Sequence, residues 1–241
     1  MIYAFYDSRI PVENAEHLRA LGFFAVPIPE CTSFSAPVCA HTDLQMVSLG
    51  DTLLIHPELA QRMPSLARAN GVIIDEFLPD EKSHEARLCA LIGGGRLFGN
   101  TRLLSRALLS TAMQKGLKIV HTNQGFAACS TRFVDAHHAI TADEGMHRAL
   151  CNEGIEVLKI SEGGVLLPPY PYGFIGGASG LFEDCVYFIG SLIKHPDGER
   201  IRAYIEDLGM HAVSLSDGAL FDGGGIVFWE SEERIFLKEH A

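Results

Sequence analysis

The chain has 241 residues, of which 47% are hydrophobic and 20% are charged, as expected for a globular protein with a substantial core. Its formal net charge of -11 argues against a nucleic-acid partner and is compatible with a small cationic substrate. No apolar run approaches the roughly 20 residues that span a bilayer, and the first residues lack the pattern of a secretory signal, so no membrane partner is expected.

Six cysteines are spread along the chain without a Cys-x-x-Cys pair. This spacing predicts reduced thiols and a cytoplasmic protein. Four of them are predicted to be small buried hydrophobic residues, as most cysteines of intracellular domains are. These four are Cys31, Cys89, Cys151 and Cys185.

The chain opens with a predicted strand over Ile2–Tyr6 and a predicted helix over Pro11–Leu21, which ends at Gly22. Four later glycines also follow a helix-like stretch and precede a short apolar strand: Gly71, Gly116, Gly154 and Gly209. The predicted strands after the five glycines are Ala25–Ile28, Val72–Ile74, Ile119–His121, Val157–Ile160 and Ala212–Leu215. A glycine just past a helix can adopt the left-handed conformation that caps the last carbonyls, so the pattern indicates an internal repeat.

The repeat predicts a single α/β domain over 1–241, built from five units. The units cover approximately 22–70, 71–115, 116–153, 154–208, and 209–241 together with 1–21. We expect the N-terminal strand and helix to complete the fifth unit and to close a five-bladed ring around a central axis. The alternative is a generic α/β sheet in which the glycines recur by chance.

Three loops in different units carry residues that are candidates for catalysis or ligand binding. The first contains His41 and Asp43, which share one face if the segment is a strand. A carboxylate beside an imidazole can raise its basicity and fix its tautomer. The alternative for this pair is an ordinary surface contact.

The second loop runs from Gln124 to Thr131 and contains Cys129. Its polar, glycine-containing flanks predict a corner between a loop and a strand, where the thiol meets solvent. A thiolate at such a corner, paired with an imidazole, would be a nucleophile. The alternative is a buried structural cysteine.

The third loop contains Asp222, followed by Gly223, Gly224 and Gly225. The glycines let the backbone approach a ligand closely, and the carboxylate is placed to receive a cation. No Lys-Ser or Lys-Thr follows, so this is not a phosphate loop. The alternative is a tight turn with a solvated aspartate.

His-x-Asp, Gly-rich Cys-x-Thr and acid-Gly-Gly loops in five related units resemble the pentein, or guanidino-group-modifying enzyme, superfamily. Its members include deiminases, amidinotransferases, dimethylarginine hydrolases and a non-enzymatic ribosome-binding initiation factor. The resemblance implies a five-bladed α/β propeller of ββαβ units with the active site on the axis. It also implies that Cys129 is the nucleophile, that His41 with neighbouring Asp43 is the general acid and base, and that Asp222 is the site's other acid.

The order of the loops differs from that of the superfamily, in which the acid loop comes first. Here His41 precedes Cys129, and Asp222 comes last, but the steps between units around a ring are the same. The chain therefore resembles a circular permutant of the superfamily over essentially its whole length.

Two departures from the superfamily pattern concern the substrate. Ala128 stands where many deiminases have a histidine, and the segment 174–180 is glycine-rich where members have an Arg-Asp pair that grips the guanidinium. Asp217 and Glu85 are candidates to supply the missing charge. The predicted substrate-binding residues are Asp222, Gly223, Gly224, Asp217, Gln124, Gly176 and Gly177.

The predicted function is that of a thiol-dependent hydrolase or transferase acting on a C–N bond of a small guanidino, amidino or related cationic molecule, without a cofactor. In this hypothesis Asp43 orients His41 and Asp222 pairs with the cation, while the loop 168–173 either walls the site with aromatic surface or is simply stiff. The alternatives are a catalytically silent binding protein and a metal-binding protein. Ligands for a metal would come from His41, Asp43, His121 and Cys129. A homo-oligomer is compatible with the sequence.

Overall fold

A computed structural model describes residues 1–76 and 85–235 of the chain. Its strands are β1 (Ile2–Asp7), β2 (Phe24–Ile28), β3 (Met46–Leu49), β4 (Thr52–Ile55), β5 (Val72–Ile74), β6 (Leu91–Gly93), β7 (Arg96–Gly99), β8 (Lys118–His121), β9 (Thr131–Phe133), β10 (His138–Thr141), β11 (Glu156–Lys159), β12 (Val165–Leu166), β13 (Ser179–Phe182), β14 (Cys185–Phe188), β15 (His211–Ser214), β16 (Leu220–Phe221) and β17 (Val227–Glu230). Its α-helices are α1 (Val12–Ala20), α2 (Thr42–Gln45), α3 (Pro57–Arg62), α4 (Pro64–Ala67), α5 (Arg106–Gln114), α6 (Ala127–Ser130), α7 (Glu144–Asn152) and α8 (Gly198–Asp207). Short 3₁₀ helices cover Ala36–Val38, Glu85–Leu88 and Leu192–Lys194.

Five three-stranded sheets share one topology within the described residues. In each, the middle strand pairs antiparallel with the strand on one side and parallel with the strand on the other. The sheets are β3-β4-β5, β6-β7-β8, β9-β10-β11, β13-β14-β15 and β17-β1-β2. Each parallel pair is connected through one or two helices, since parallel neighbours need a crossover. A two-stranded sheet, β12-β16, completes the set, and none of the described sheets closes on itself.

The five repeated glycines all adopt the left-handed conformation that the sequence predicts. Their φ angles are +94° at Gly22, +83° at Gly71, +73° at Gly116, +77° at Gly154 and +75° at Gly209. In this region a side chain would be strained, and each glycine stands just before the parallel strand of its sheet. The prediction of a repeated glycine cap is confirmed.

The outer antiparallel strands of all five sheets contribute to the walls of one cavity of about 250 Å³, which we call the rear cavity. It is lined by residues that include one from each strand: Met46, Ile92, Phe133, Leu181 and Val227. The crossover helices pack on the other strands of the sheets, whereas the short helices α2 and α6 contact the outer strands β3 and β9. In α8, for example, Ile201 and Ile205 join a core cluster with Val186 and Phe188 of β14.

The two ends of the described chain share a sheet, in which β1 lies between β17 and β2. Tyr3 pairs with Trp229, and both side chains join Phe5 in one buried cluster. The helices of the described residues are too short or too polar to cross a membrane.

Candidate active site

His41 and Asp43 lie at the start of helix α2, so the strand predicted for them is wrong. His41 is the N-terminal cap residue, and the amides of Thr42 and Asp43 donate to the carbonyls of Gly223 and Gly224. These bonds satisfy two of the amides that a helix start leaves free, which favours a helical turn here. The His41 side chain makes no capping bond and remains available to the site.

Cys129 lies in the short helix α6, two residues before strand β9 begins at Thr131. The corner predicted there is present, but the expected exposure of the thiol to bulk solvent is wrong. Cys129 is only 2% exposed, because the backbone around it packs against the segment 174–180. The amide of Gly177 donates to the Cys129 carbonyl at 2.8 Å.

The structure brings Cys129, Asp43 and His41 together from distant parts of the sequence. The Cys129 thiol donates to Asp43 Oδ2 at 2.7 Å, and its Sγ atom lies 3.9 Å from His41 Nδ1. All three side chains are buried, with exposures of 2%, 7% and 1% respectively. The geometry places the sulfur of Cys129 beside both a carboxylate and an imidazole.

Asp222 lies on the other side of the imidazole. Its Oδ1 atom is 3.8 Å from His41 Nε2, and its carboxylate accepts the amides of Phe174 at 2.8 Å and Gly224 at 3.1 Å. His41 thus stands between Cys129 and Asp222. The predicted pairing of Asp43 with His41 is wrong, because Asp43 accepts a hydrogen bond from the Cys129 thiol. The carboxylate beside the imidazole is that of Asp222.

Burial is the largest influence on the protonation of Asp43, Asp222 and His41. It raises the pKa of Asp43 and of Asp222 to about 6 each, and it lowers the pKa of His41 despite the opposing influence of Asp222. A hydrogen bond with Cys89, burial and the Asp43 charge hold the pKa of Cys129 well above its ordinary value. In the resting site the thiol is therefore protonated and the imidazole neutral.

Glycines 176, 177 and 224 allow the loops to approach these residues. A Cβ atom on Gly177 would lie 1.9 Å from Asp222 Oδ1, and one on Gly176 would lie 2.1 Å from the Ala128 carbonyl. Gly224 has a φ of +67°, and its Cβ would lie 2.6 Å from Asp43 Oδ1. Gly223 adds a hydrogen bond from its amide to the Gly177 carbonyl. These predicted ligand-binding glycines therefore pack against the site residues.

Arg132 holds the glycine-rich segment 174–180 in place through hydrogen bonds. Its Nη2 atom donates to the carbonyls of Gly176 and Ser179 at 2.7 Å each, and its Nε atom donates to Ser179 Oγ at 3.0 Å. No local signal in the sequence marks this arginine. It contributes to the site through the backbone that it holds.

A cavity of about 310 Å³, which we call the front cavity, opens onto the reactive groups. Its walls are largely apolar and aromatic, and the described residues that line it are Ser35, Val38, His41, Glu85, Phe126, Cys129, Leu167, Tyr170, Pro171, Tyr172, Phe174 and Asp222. The loop 168–173 thus supplies aromatic wall. Among the described residues of its lining, two carry a carboxylate, Asp222 and Glu85. Glu85 accepts the amide of Ser35 at 2.6 Å.

Three predicted residues lie away from the front cavity. Gln124 lines a neighbouring cavity of about 200 Å³, because its amide group is held between Asp143 and the Phe126 amide. Asp217 is exposed, because it follows strand β15 on a surface turn. His121 bonds the Thr101 hydroxyl at 2.8 Å and is exposed, so the metal-ligand set that included it does not assemble.

Cys89 is the site residue that sequence reasoning missed. It is fully buried as predicted, but its thiol donates to Asp43 Oδ2 at 3.3 Å, beside the thiol of Cys129. Its apolar neighbours Leu88 and Ala90 give no sign of this contact. The prediction of burial is wrong for Cys151, which is exposed, and for Cys185, which is partly exposed.

Two overlapping groups could supply metal ligands within the described residues. One consists of His41, Cys129 and Asp222, and the other of Asp43, Cys89 and Cys129. The ligand atoms within each group lie within 4.8 Å of one another. Mixed sulfur, nitrogen and oxygen donors are of the kind that Zn²⁺ binds.

The protein family described as "Family of unknown function (DUF6873)" matches residues 5–227. The chain belongs to this family. No curated protein matches the sequence significantly. The family assignment covers every residue of the site described above, from His41 to Asp222.

The fold of this chain is similar to that of several solved structures. A dimethylarginine dimethylaminohydrolase adduct with 4-chloro-2-hydroxymethylpyridine matches with a TM-score of 0.60 at 10% identity, covering 95% of this chain and 98% of that one. A mutant of the Pseudomonas aeruginosa enzyme complexed with citrulline matches with a TM-score of 0.60 at 11% identity, covering 90% and 91%. At this identity the match shows the fold alone. The fold of this chain is thus similar to that of dimethylarginine dimethylaminohydrolase.

The arrangement in this member of the family can support thiol chemistry assisted by an imidazole. Cys129 and His41 face the same cavity, while Asp43 is on the lining of the rear cavity behind them. A cation entering the front cavity would meet Asp222 and oppose the resting protonation of the thiol, since an opposite charge nearby favours the thiolate.

Proposed function

We propose that the protein is a thiol-dependent hydrolase or transferase that acts on a C–N bond of a small guanidino, amidino or related cationic molecule. The observation that carries this proposal is the 3.9 Å approach of Cys129 Sγ to His41 Nδ1 at a cavity that Asp222 also lines. The likeness of the fold to dimethylarginine dimethylaminohydrolase supports it.

The proposal includes a ring architecture. Five sheets of one topology, with outer strands lining a common cavity, support a five-bladed propeller formed by the single domain 1–241 and its five units. In such a ring the loops carrying His41, Cys129 and Asp222 meet at the axis whatever their order in the chain. A circularly permuted member of the superfamily accounts for the order found here.

In the first step the Cys129 thiolate attacks the electrophilic carbon of the bound cation and forms a C–S bond. The proton released from the thiol passes to the neutral imidazole of His41, whose Nδ1 atom lies 3.9 Å from the sulfur. The resulting imidazolium delivers this proton to the leaving nitrogen as the C–N bond breaks. The product of this step is a covalent thiouronium or thioimidate on Cys129.

In the second step an acceptor attacks the same carbon and His41 removes its proton. The C–S bond breaks and the thiolate returns to Cys129. Water as the acceptor gives hydrolysis to a urea or amide, whereas an amine gives transfer of the amidino group. A neutral imidazole at rest suits the proton-accepting half of this cycle, and the lowered pKa of His41 is consistent with it.

The lining of the front cavity favours a substrate with one cationic head and an apolar body. Asp222 lies beside His41 and receives the head, and Glu85 adds a second negative charge. Phe126, Tyr170 and Phe174 present apolar surface to the remainder. Since no Arg-Asp pair is present in the segment 174–180, the charge of the head is balanced by these two carboxylates.

A pair of isosteric alkylating agents tests the proposal. 2-Chloroacetamidine is a cation of the proposed class, and 2-chloroacetamide is its neutral counterpart. We expect the amidine to alkylate Cys129 at least about tenfold faster than the amide at pH 7, since a buried carboxylate pairs with the cation. The rates are measured from the modified tryptic peptide 119–132.

The exposed Cys151 provides the control within the same molecule, because it reports the intrinsic reactivity of the two reagents through peptide 149–159. Equal rate ratios at the two cysteines would refute a cation-binding nucleophile. Turnover is then sought with guanidines and amidines as substrates, with Cys129→Ala as the inactive control.

One observation favours a second candidate, a catalytically silent protein that binds a cation. Cys129 donates its thiol proton to a carboxylate and its pKa is raised, which opposes reactivity. A silent binder protects Cys129 from alkylation when a cation binds, whereas the enzyme forms a covalent adduct with an electrophilic cation. The six cysteines form no disulfide, which is consistent with the proposed cytoplasmic location. The formation of a homo-oligomer stays a prediction.

A further inference from the structure

We propose that Cys89 and Cys129 form a reversible disulfide when a hydroperoxide oxidises the site, with Cys89 as the resolving cysteine. Both thiols donate to the same oxygen, Asp43 Oδ2, at 3.3 Å and 2.7 Å. The two sulfurs lie within 4.8 Å of each other. To reach the roughly 2.05 Å of a disulfide they must approach by less than about 3 Å, a side-chain adjustment.

The surroundings of Cys129 leave Cys89 as the cysteine with which it can form a disulfide. Cys89 is fully buried and Cys129 is 2% exposed, and both belong to one hydrophobic cluster with Leu44 and Leu167. The buried Cys31 is engaged elsewhere, since its thiol donates to Glu58 at 3.2 Å. Among the described cysteines, the sulfur beside Cys129 is therefore that of Cys89.

A small oxidant reaches the pair from one side. Cys129 lines the front cavity, whereas Cys89 is not among the described residues of that lining. A hydroperoxide of the size of hydrogen peroxide fits within the 310 Å³ of this cavity. Oxidation therefore begins at Cys129.

The chemistry balances with the peroxide as the oxidant. The Cys129 thiolate attacks the terminal peroxide oxygen, the O–O bond breaks, and Cys129 becomes a sulfenic acid while the peroxide leaves as an alcohol or water. The Cys89 sulfur then attacks the Cys129 sulfur, the S–O bond breaks, and water leaves. Two thiols have lost two hydrogens, and the peroxide has gained them.

Asp43 serves both halves of this sequence as the proton acceptor, because its Oδ2 atom already accepts both thiol protons. Once the disulfide has formed, this carboxylate has lost two donors while it remains buried, which is unfavourable. The disulfide is therefore expected to be labile and readily reversed by a dithiol. Lability of this kind is characteristic of regulatory rather than structural disulfides.

The consequence is a switch that removes the sulfur of Cys129 from use and shields it from irreversible oxidation. Without a resolving thiol, a sulfenic acid proceeds to sulfinic and sulfonic acids. The inference goes beyond the proposed function and does not depend on it, because disulfide formation requires the two thiols and no turnover. A protein that binds cations silently would form the same bond.

The test begins with the unaltered protein, treated with hydrogen peroxide and quenched with N-ethylmaleimide before digestion with trypsin under non-reducing conditions. Cys89 falls in peptide 88–96 and Cys129 in peptide 119–132, each with a single cysteine. We expect these two peptides to be joined, and dithiothreitol to separate them. A Cys129 oxidised to sulfinic acid beside an unmodified Cys89, or a Cys129 joined to another cysteine, would overturn the proposal.

A pair of variants sharpens the result. Cys89→Ser keeps a hydroxyl donor for Asp43, and under peroxide its Cys129 is expected to accumulate as sulfinic or sulfonic acid. Cys31→Ala alters another buried cysteine and is expected to leave the joined peptides unchanged. Equal accumulation of overoxidised Cys129 in Cys89→Ser and the unaltered protein would count against the resolving role. If Cys89→Ser does not fold, the peptide analysis of the unaltered protein decides alone.

Discussion

The thiol of Cys129 donates a 2.7 Å hydrogen bond to Oδ2 of Asp43. The histidine expected to activate the sulfur stands farther away, at 3.9 Å, and its own carboxylate neighbour is Asp222. Asp43 therefore contacts the sulfur, and Asp222 contacts the imidazole. This division determines how the site responds to charge, pH and substitution.

Asp43→Asn is expected to make Cys129 more reactive toward a neutral reagent. The charge of Asp43 is one cause of the raised pKa of Cys129, so its removal lowers that pKa. The measurement is the pH at which 2-chloroacetamide alkylates peptide 119–132 at half its maximal rate. Asp217→Asn, which alters an exposed carboxylate outside the site, is the control, and an unchanged midpoint in Asp43→Asn would contradict the assignment.

The same substitution is expected to change how stability depends on pH. Burial raises the pKa of Asp43 from 3.8 to about 6 in the folded protein, so the folded state binds its proton more tightly than the unfolded state. The stability contributed by this proton is fully present below the unfolded pKa and is lost as pH rises through 6. Relative to the unaltered protein, Asp43→Asn should therefore gain about 1 kcal/mol in free energy of unfolding between pH 5 and pH 8.

Urea denaturation at the two pH values measures this difference. Asp217→Asn again serves as the control and should follow the unaltered protein. A difference in unfolding free energy that stays constant from pH 5 to pH 8 would show that Asp43 is not a buried acid with a raised pKa.

Gly177→Ala is expected to destabilise the protein by about 1–3 kcal/mol and to abolish the preference of Cys129 for the amidine. The added methyl would lie 1.9 Å from Asp222 Oδ1, so either the loop or the carboxylate must move away from His41. Denaturation and the alkylation ratio measure the two effects. Gly218→Ala is the matched control, since its methyl would meet only Ser216 Oγ at 3.4 Å, and an equal loss in both variants would disprove the packing argument.

Glu85→Gln is expected to slow alkylation of Cys129 by the amidine about fivefold, equivalent to about 1 kcal/mol for a partly exposed charge pair. Alkylation by the neutral amide should stay unchanged. Glu206→Gln, on the exposed face of α8, is the control for the loss of one negative charge. If both reagents slow equally in Glu85→Gln, its effect is on the shape of the cavity and not on the cation.

Local patterns in the sequence were sufficient for the repeating elements. Gly116 and Gly154 end their helices in the left-handed conformation because that preference belongs to glycine itself. The predicted strand at His41 was wrong because the amides of this turn are satisfied by carbonyls of Gly223 and Gly224, far along the chain. Such a long-range bond leaves no periodic signal near His41.

The residues of the candidate site could be selected by residue type, but their pairings could not. A His-x-Asp motif puts His41 and Asp43 near each other, yet only the three-dimensional structure turns Asp43 toward Cys129 and Asp222 toward the imidazole. Cys89 was inaccessible altogether, because a cysteine between apolar residues has the same sequence surroundings whether or not its sulfur meets a carboxylate.

Because β1 lies in the middle of its sheet, the N-terminal strand depends on the C-terminal strand β17 for its hydrogen bonds on one side. Strand β17 covers one side of β1 with antiparallel hydrogen bonds, and β2 covers the other. Loss of β17 by proteolysis would turn β1 into an exposed edge, with unpaired backbone groups available to another molecule. Damage at the C-terminal end would thus appear as aggregation through the N-terminal strand.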